Sequence, residues 1–132
     1  MQEKKKILLV DDSPAILQIL VGVLRADYDL VTAIDGSQGL ELAKKNMPDL
    51  IILDVVMPGM SGYDVLKALK ADEATKPIPV VLLSGKSSDA DEEEGYALGA
   101  ATYIKKPFDA VAIKQRIDNS IRQGKPVNSL SR

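Results

Sequence analysis

Three short runs constrain this chain more than anything else in it: Ile7-Leu8-Leu9-Val10, Leu50-Ile51-Ile52-Leu53 and Val80-Val81-Leu82-Leu83. Each is continuously apolar, rich in branched side chains and shorter than an ordinary helix, which is the pattern of a strand buried on both faces. Such strands belong in a parallel sheet with helices above and below it. The intervening segments carry helical patterns. Ser13 suits an N-cap, Pro14 suits the first helical position, and Ile16, Leu17, Leu20, Val23 and Leu24 follow at helical spacing. Further helices are expected over 37–46, 62–71 (with Val65, Leu66 and Leu69 inward), 89–98 and 109–122. Strands are expected at 6–10, 30–33, 50–53, 80–83 and 102–104. Strand and helix alternate throughout, so the fold is α/β with right-handed crossovers.

The chemistry lies at the ends of the strands. Asp54 closes the second run, and Asp11 and Asp12 directly follow the first. An open α/β sheet binds its ligands at the C-terminal edge of its strands. Ser84 ends the third run, and Lys106, followed by Pro107-Phe108, closes the fifth strand segment. One edge therefore collects Asp11, Asp12, Asp54, Ser84 and Lys106. Carboxylates about 4 Å apart repel by roughly 4 kcal/mol at an effective dielectric near 20, a cost that a cation or a bound phosphoryl group would relieve. The chain has no cysteine and no histidine. It thus lacks the usual zinc ligands and the commonest general base, and a metal here is expected to be a hard cation such as Mg²⁺ held by oxygens. In that setting Asp54 can act as a nucleophile toward phosphorus, while Lys106 and Ser84 stabilise charge on the phosphoryl oxygens.

Each residue has a plainer reading. An Asp before Pro and Gly often marks a strand-end turn, Asp11 or Asp12 can cap the first helix, and Ser84 can be an ordinary strand-end hydroxyl. An aromatic on a short strand, such as Tyr103, is usually a packing residue. The acidic run 89–94 most simply complements a helix N-terminus, and Lys4-Lys5-Lys6 reads as a solvated lead-in.

Taken in order, Asp11-Asp12, Asp54 in Leu-Asp-Val-Val-Met-Pro-Gly-Met-Ser-Gly, Ser84-Gly85 and Lys106-Pro107-Phe108 resemble the receiver domain of two-component response regulators, in particular the small chemotaxis-type, single-domain members. The resemblance covers about 5–122 and implies a flavodoxin-like, doubly wound five-stranded parallel sheet of order 2-1-3-4-5 flanked by five helices. It implies Asp54 as phosphoacceptor, and Asp12, Asp54 and the backbone carbonyl of Val56 as Mg²⁺ ligands, with Asp11 acting through water. Ser84 and Tyr103 would be the switch residues, and Lys106 the phosphate-contacting lysine with a cis bond to Pro107. A histidine kinase or phosphotransfer protein would dock on a first-helix stripe of Ala15, Gln18, Ile19 and Gly22. A target protein would dock on the fourth helix, fifth strand and fifth helix. Val56 and Lys86, each two places after a site residue, would tune phosphate lifetime, and an apolar Val56 implies slow self-dephosphorylation.

At 132 residues the chain fits one domain, expected at 1–123, with a polar tail or linker start at 124–132. A net charge of −2 argues against general nucleic-acid affinity. No run has transmembrane or signal-peptide length, so the expectation is a cytoplasmic protein without membrane partners. Alternatives are a receiver fragment of a larger regulator, a phosphorylation-independent scaffold, and a haloacid-dehalogenase-like phosphohydrolase. That last enzyme class usually carries a second Asp where Val56 stands, which speaks against it.

Overall fold

The computed structural model describes residues 4–85 and 88–123. In chain order the elements are β1 (Lys5–Val10), α1 (Pro14–Leu24), β2 (Tyr28–Ala33), α2 (Gly36–Asn46), β3 (Leu50–Asp54), α3 (Gly62–Ala71), β4 (Val80–Ser84), α4 (Asp89–Ala97), β5 (Thr102–Lys105) and α5 (Ala110–Gln123). All strand pairs are parallel, in the order β2-β1-β3-β4-β5. This is the doubly wound, flavodoxin-like arrangement, and it brings every strand's C-terminal end to one edge.

Alternation along the buried strands divides the core in two. Leu8, Val10, Ile51, Leu53, Val80 and Leu82 pack with Ala43 of α2 and Val65, Leu66 and Leu69 of α3. Ile7, Leu9, Leu50, Ile52, Val81 and Leu83 face the opposite way, onto Leu17, Leu20 and Leu24 of α1 and Ile113 and Ile117 of α5. Burying each such side chain is worth about 1.5–3 kcal/mol. That is why these central strands need no polar face.

Local chemistry sets the helix starts. The Ser13 side chain accepts from the Ile16 N–H, and Ser61 with Asp64 forms a reciprocal capping box at α3. Asp35 accepts from the Gln38 N–H and so starts α2 at Gly36, one residue before the expected Ser37. Strand β2 begins at Tyr28, two residues before expectation, because it lies at the sheet edge. Its exposed Asp29 and Thr32 deny it the continuous apolar signature of the central strands. Helix α5 starts at Ala110, with Asp109 accepting from the Val111 and Ala112 N–H groups just outside it.

One glycine fixes the seam between sheet and site. A Cβ on Gly62 would lie 2.2 Å from the Asp54 carbonyl oxygen. The Gly62 N–H also donates to the Val55 carbonyl at 2.8 Å. Only glycine lets α3 begin flush against the end of β3. The 124–132 segment, expected as a tail, lies outside the described residues.

Candidate functional site

At the C-terminal edge, Asp11 and Asp54 are buried and Asp12 is exposed. One carboxylate oxygen from each of the three lies within 4.8 Å of the others. Lys106 reaches in from the end of β5, its Nζ 3.2 Å from Asp11 Oδ2 and 3.1 Å from Asp54 Oδ1. Asp11 is fixed further by accepting the Ser13 N–H at 2.9 Å, so the residue that caps α1 also orients a site carboxylate. Asp11 itself therefore caps no helix.

Burial pushes the Asp54 carboxyl up to about 6, and the negative charges of Asp11 and Asp12 add to the rise while Lys106 opposes it. Burial also opposes the charge of Lys106. The hydrogen bond to Asp54 and the field of Asp11 outweigh it, and the ammonium titrates above the ordinary lysine value. Near neutral pH the site thus holds a lysine cation between carboxylates that lack their normal hydration. A donor set made of carboxylate oxygens, with one exposed member at the mouth, suits a hard divalent cation.

The remaining expected residues cluster here too. Ser84 is fully buried at the end of β4, and its carbonyl accepts the Lys106 N–H at 2.8 Å. Val55 is buried and its N–H donates to Leu83, while Val56 is exposed at the mouth of the site. The Lys106–Pro107 peptide bond is cis, as the resemblance implies. Lys86 lies outside the described residues.

Tyr103 points into the core and is 4% exposed. It packs against the backbone of α4 at Gly95, where a Cβ would lie 3.0 Å from the Tyr103 ring. Its backbone N–H donates to the Tyr96 hydroxyl at 3.2 Å. One residue beside it escaped sequence reasoning. Tyr63, on the first turn of α3, donates its hydroxyl to the Asp91 carbonyl of α4 at 2.9 Å and is hydrogen-bonded to Tyr103. An aromatic among the polar residues at a helix start carried no signal of this, because its partners lie on other elements. Gly62 was legible as a helix start and as the end of the motif around Asp54, but not as the residue seated on the Asp54 carbonyl.

Two surfaces lie away from the carboxylates. Ala15, Gln18, Ile19 and Gly22 on α1 are all exposed, as their helical positions predict. Between α4, β5 and α5 runs a groove of about 430 Å³, lined in part by Tyr96, Ile104, Phe108, Ile113 and Arg116. The Lys105–Glu92 ion pair, at 3.0 Å, ties β5 to α4 at its rim. No helix among the described residues is long and apolar enough to cross a membrane.

A parallel sheet of this order, with acids and a lysine at its C-terminal edge, defines a signalling receiver module. The chain matches the family model for the response regulator receiver domain over residues 7–118 and belongs to that family. It is 40% identical over 118 residues to the response regulator PleD of Caulobacter vibrioides, covering 89% of this chain and 26% of that protein. The DNA-binding response regulator MtrA of Mycolicibacterium smegmatis is 36% identical, with 97% of this chain and 56% of MtrA covered. The chain thus spans between about a quarter and just over half of these relatives. Among solved structures, the chemotaxis response regulator CheY4 of Vibrio cholerae superposes with a TM-score of 0.84 at 35% identity, covering 89% of this chain and 98% of that one.

Proposed function

We propose that this receiver domain accepts a phosphoryl group on Asp54 from a histidine kinase or phosphotransfer protein, and that the modification changes its α4–β5–α5 surface for a target protein. The observation that carries the reading is the placement of Lys106 between two buried carboxylates, with the third carboxylate at the mouth. Asp12, Asp54 and the Val56 carbonyl would hold Mg²⁺, with Asp11 acting through water, and the bound ion would neutralise charge on the phosphoryl oxygens.

In the transfer, an Asp54 carboxylate oxygen attacks phosphorus and the bond from phosphorus to the donor's imidazole nitrogen breaks. The electron pair stays with the imidazole, which is protonated from solvent. Asp54 titrates near 6, so most of it is ionised and nucleophilic at neutral pH. Lys106 supplies a fixed positive charge where the phosphoryl oxygens develop theirs, and its existing hydrogen bonds hold it there. Ser84, buried one strand over, offers a hydroxyl to another of those oxygens. Tyr103 supplies the second half of the switch by holding its inward position, and phosphorylation shifts the population between packings of this face. The exposed Ala15, Gln18, Ile19 and Gly22 stripe on α1 presents small and apolar side chains suited to a helical donor. The module turns over no substrate other than its own aspartyl phosphate.

Incubation with acetyl phosphate, followed by intact mass measurement, tests the reading. One added phosphoryl group is expected, dependent on Mg²⁺ and absent in Asp54→Ala. A folded wild type that gains none would favour a phosphorylation-independent scaffold. Lifetime is a separate matter. The exposed Val56 side chain cannot align an attacking water by hydrogen bonding, so phosphate loss is expected to be slow and to quicken in Val56→Asn. An equal or slower rate in that variant would remove Val56 from the account.

A further inference from the structure

The family resemblance implies Ser84 and Tyr103 as the elements that would respond to phosphate, and both lie on the β4–β5 side of Asp54. A second physical link leaves Asp54 on the other side, through α3. Gly62 sits flush on the Asp54 carbonyl and hydrogen-bonds Val55, so the first turn of α3 is registered to the phosphoacceptor's own backbone. The next residue is Tyr63. Its hydroxyl donates to the Asp91 carbonyl at 2.9 Å and also contacts the Tyr103 hydroxyl.

A backbone carbonyl only accepts, so the Tyr63 hydroxyl donates to Asp91. The same hydroxyl is hydrogen-bonded to the Tyr103 side chain. The result is a relay that joins Tyr103 through Tyr63 to the first turn of α4. Its far end is held by a local cap, because Ser88 accepts the Asp91 N–H at 3.1 Å. Tyr96, one turn along the same helix, accepts the Tyr103 N–H at 3.2 Å. The inward ring is therefore gripped at its backbone by Tyr96 and at its hydroxyl by Tyr63. It fits only because Gly95 leaves room for it.

We infer that Tyr63 is a positioning residue of the switch, whose hydroxyl holds Tyr103 inward and ties that state to α4 and to the α3 turn seated on Asp54. The inference rests on the phosphoacceptor reading of Asp54. A phosphoryl group on Asp54 and the Tyr63 hydroxyl would favour the same inward packing, so each strengthens the other. The link is a claim of energetic coupling and needs a coupling measurement, not proximity alone.

Tyr63→Phe keeps the ring and removes only the hydroxyl. The chain has four tyrosines and no tryptophan, so 3-fluorotyrosine labelling gives one ¹⁹F line per tyrosine, with Tyr103 assigned from Tyr103→Phe. Beryllofluoride with Mg²⁺ serves as the tetrahedral phosphoryl mimic. In Tyr63→Phe the Tyr103 line is expected to shift or broaden. Beryllofluoride affinity should fall by roughly threefold to tenfold, the factor that one hydroxyl's net hydrogen bonding carries. Tyr63→Phe combined with Tyr103→Phe should bind no more weakly than the worse single variant, because both remove the same relay. An unmoved Tyr103 line with wild-type affinity in Tyr63→Phe overturns the inference. Losses that multiply in the double variant overturn it as well. Wild type that binds no beryllofluoride at Asp54 overturns the phosphoacceptor reading, and the coupling with it.

Discussion

The molecule contains the same small constellation twice, a lysine ammonium between two aspartates, and the copies behave in opposite ways. At the sheet edge, Lys106 bridges Asp11 and Asp54, whose side chains are 1% and 5% exposed. On the outer side of α5, Lys114 bridges Asp27 and Asp118 at 2.9 Å each, with side chains 54% and 26% exposed. In the buried copy, burial leads and Asp54 titrates upward, near 6. In the surface copy, burial again opposes ionisation, but the hydrogen bonds from Tyr28 and Lys114 prevail and Asp118 titrates below its ordinary value. Ion pairing alone does not make a reactive site. Partial removal of water is what separates the two copies, because it costs the buried carboxylate its hydration and pushes its titration up despite the lysine beside it.

The contrast breaks most sharply at the lysines. Lys106→Met leaves two buried carboxylates facing each other, and about 3 kcal/mol of stability should be lost at pH 7.5 in chelator. Acidification to pH 5 should restore much of it by protonating one of the pair, which urea unfolding at the two pH values would detect. A loss of less than about 1 kcal/mol would mean that water reaches the site freely.

Asp54 offers the next test. Its folded value lies above its unfolded one, so its contribution is fully present below about 4 and is lost as pH rises through about 6. Without divalent ions, wild type should therefore lose on the order of 2 kcal/mol relative to Asp54→Asn between pH 4 and pH 7. Parallel stability curves for the two proteins would refute this. The surface copy has the reverse sign, since Asp118's contribution is present above its ordinary titration range and fades on acidification. Lys114→Met should then be the smallest effect: at most about 1 kcal/mol, diminished by salt, with the acetyl phosphate reaction unchanged.

These two clusters also mark what the sequence revealed and what it withheld. Asp11, Asp12, Asp54, Ser84 and Lys106 were legible because each closes an apolar strand, and a parallel sheet sends all such positions to one edge. Their convergence follows from topology, and the structure places them together. The Lys114 cluster was invisible because its members sit on ordinary polar helix and edge positions, where a charge carries no information about its partner. Tyr63 was missed for a related reason: its contacts cross from α3 to α4 and β5, and side-chain periodicity reports burial but not hydrogen-bond partners. Element ends went astray by one or two residues where an edge strand or an alternative cap, Asp35 for α2, replaced the strong patterns of the centre. Tyr103 bears out its packing reading, since it lies 4% exposed in the core, and its switch role belongs to the proposal above.

Finally, the bonds at the sheet edge join residues far apart along the chain: Lys106 lies 95 positions from Asp11 and 52 from Asp54. Contacts of that span form only after long loops have closed, and they are unavailable to any fragment that ends before β5. A ribosome-bound nascent chain assembles the cluster of Lys106, Asp11 and Asp54 only once its last strand has docked. A half-folded copy that lacks β5 therefore has no assembled cluster at this edge.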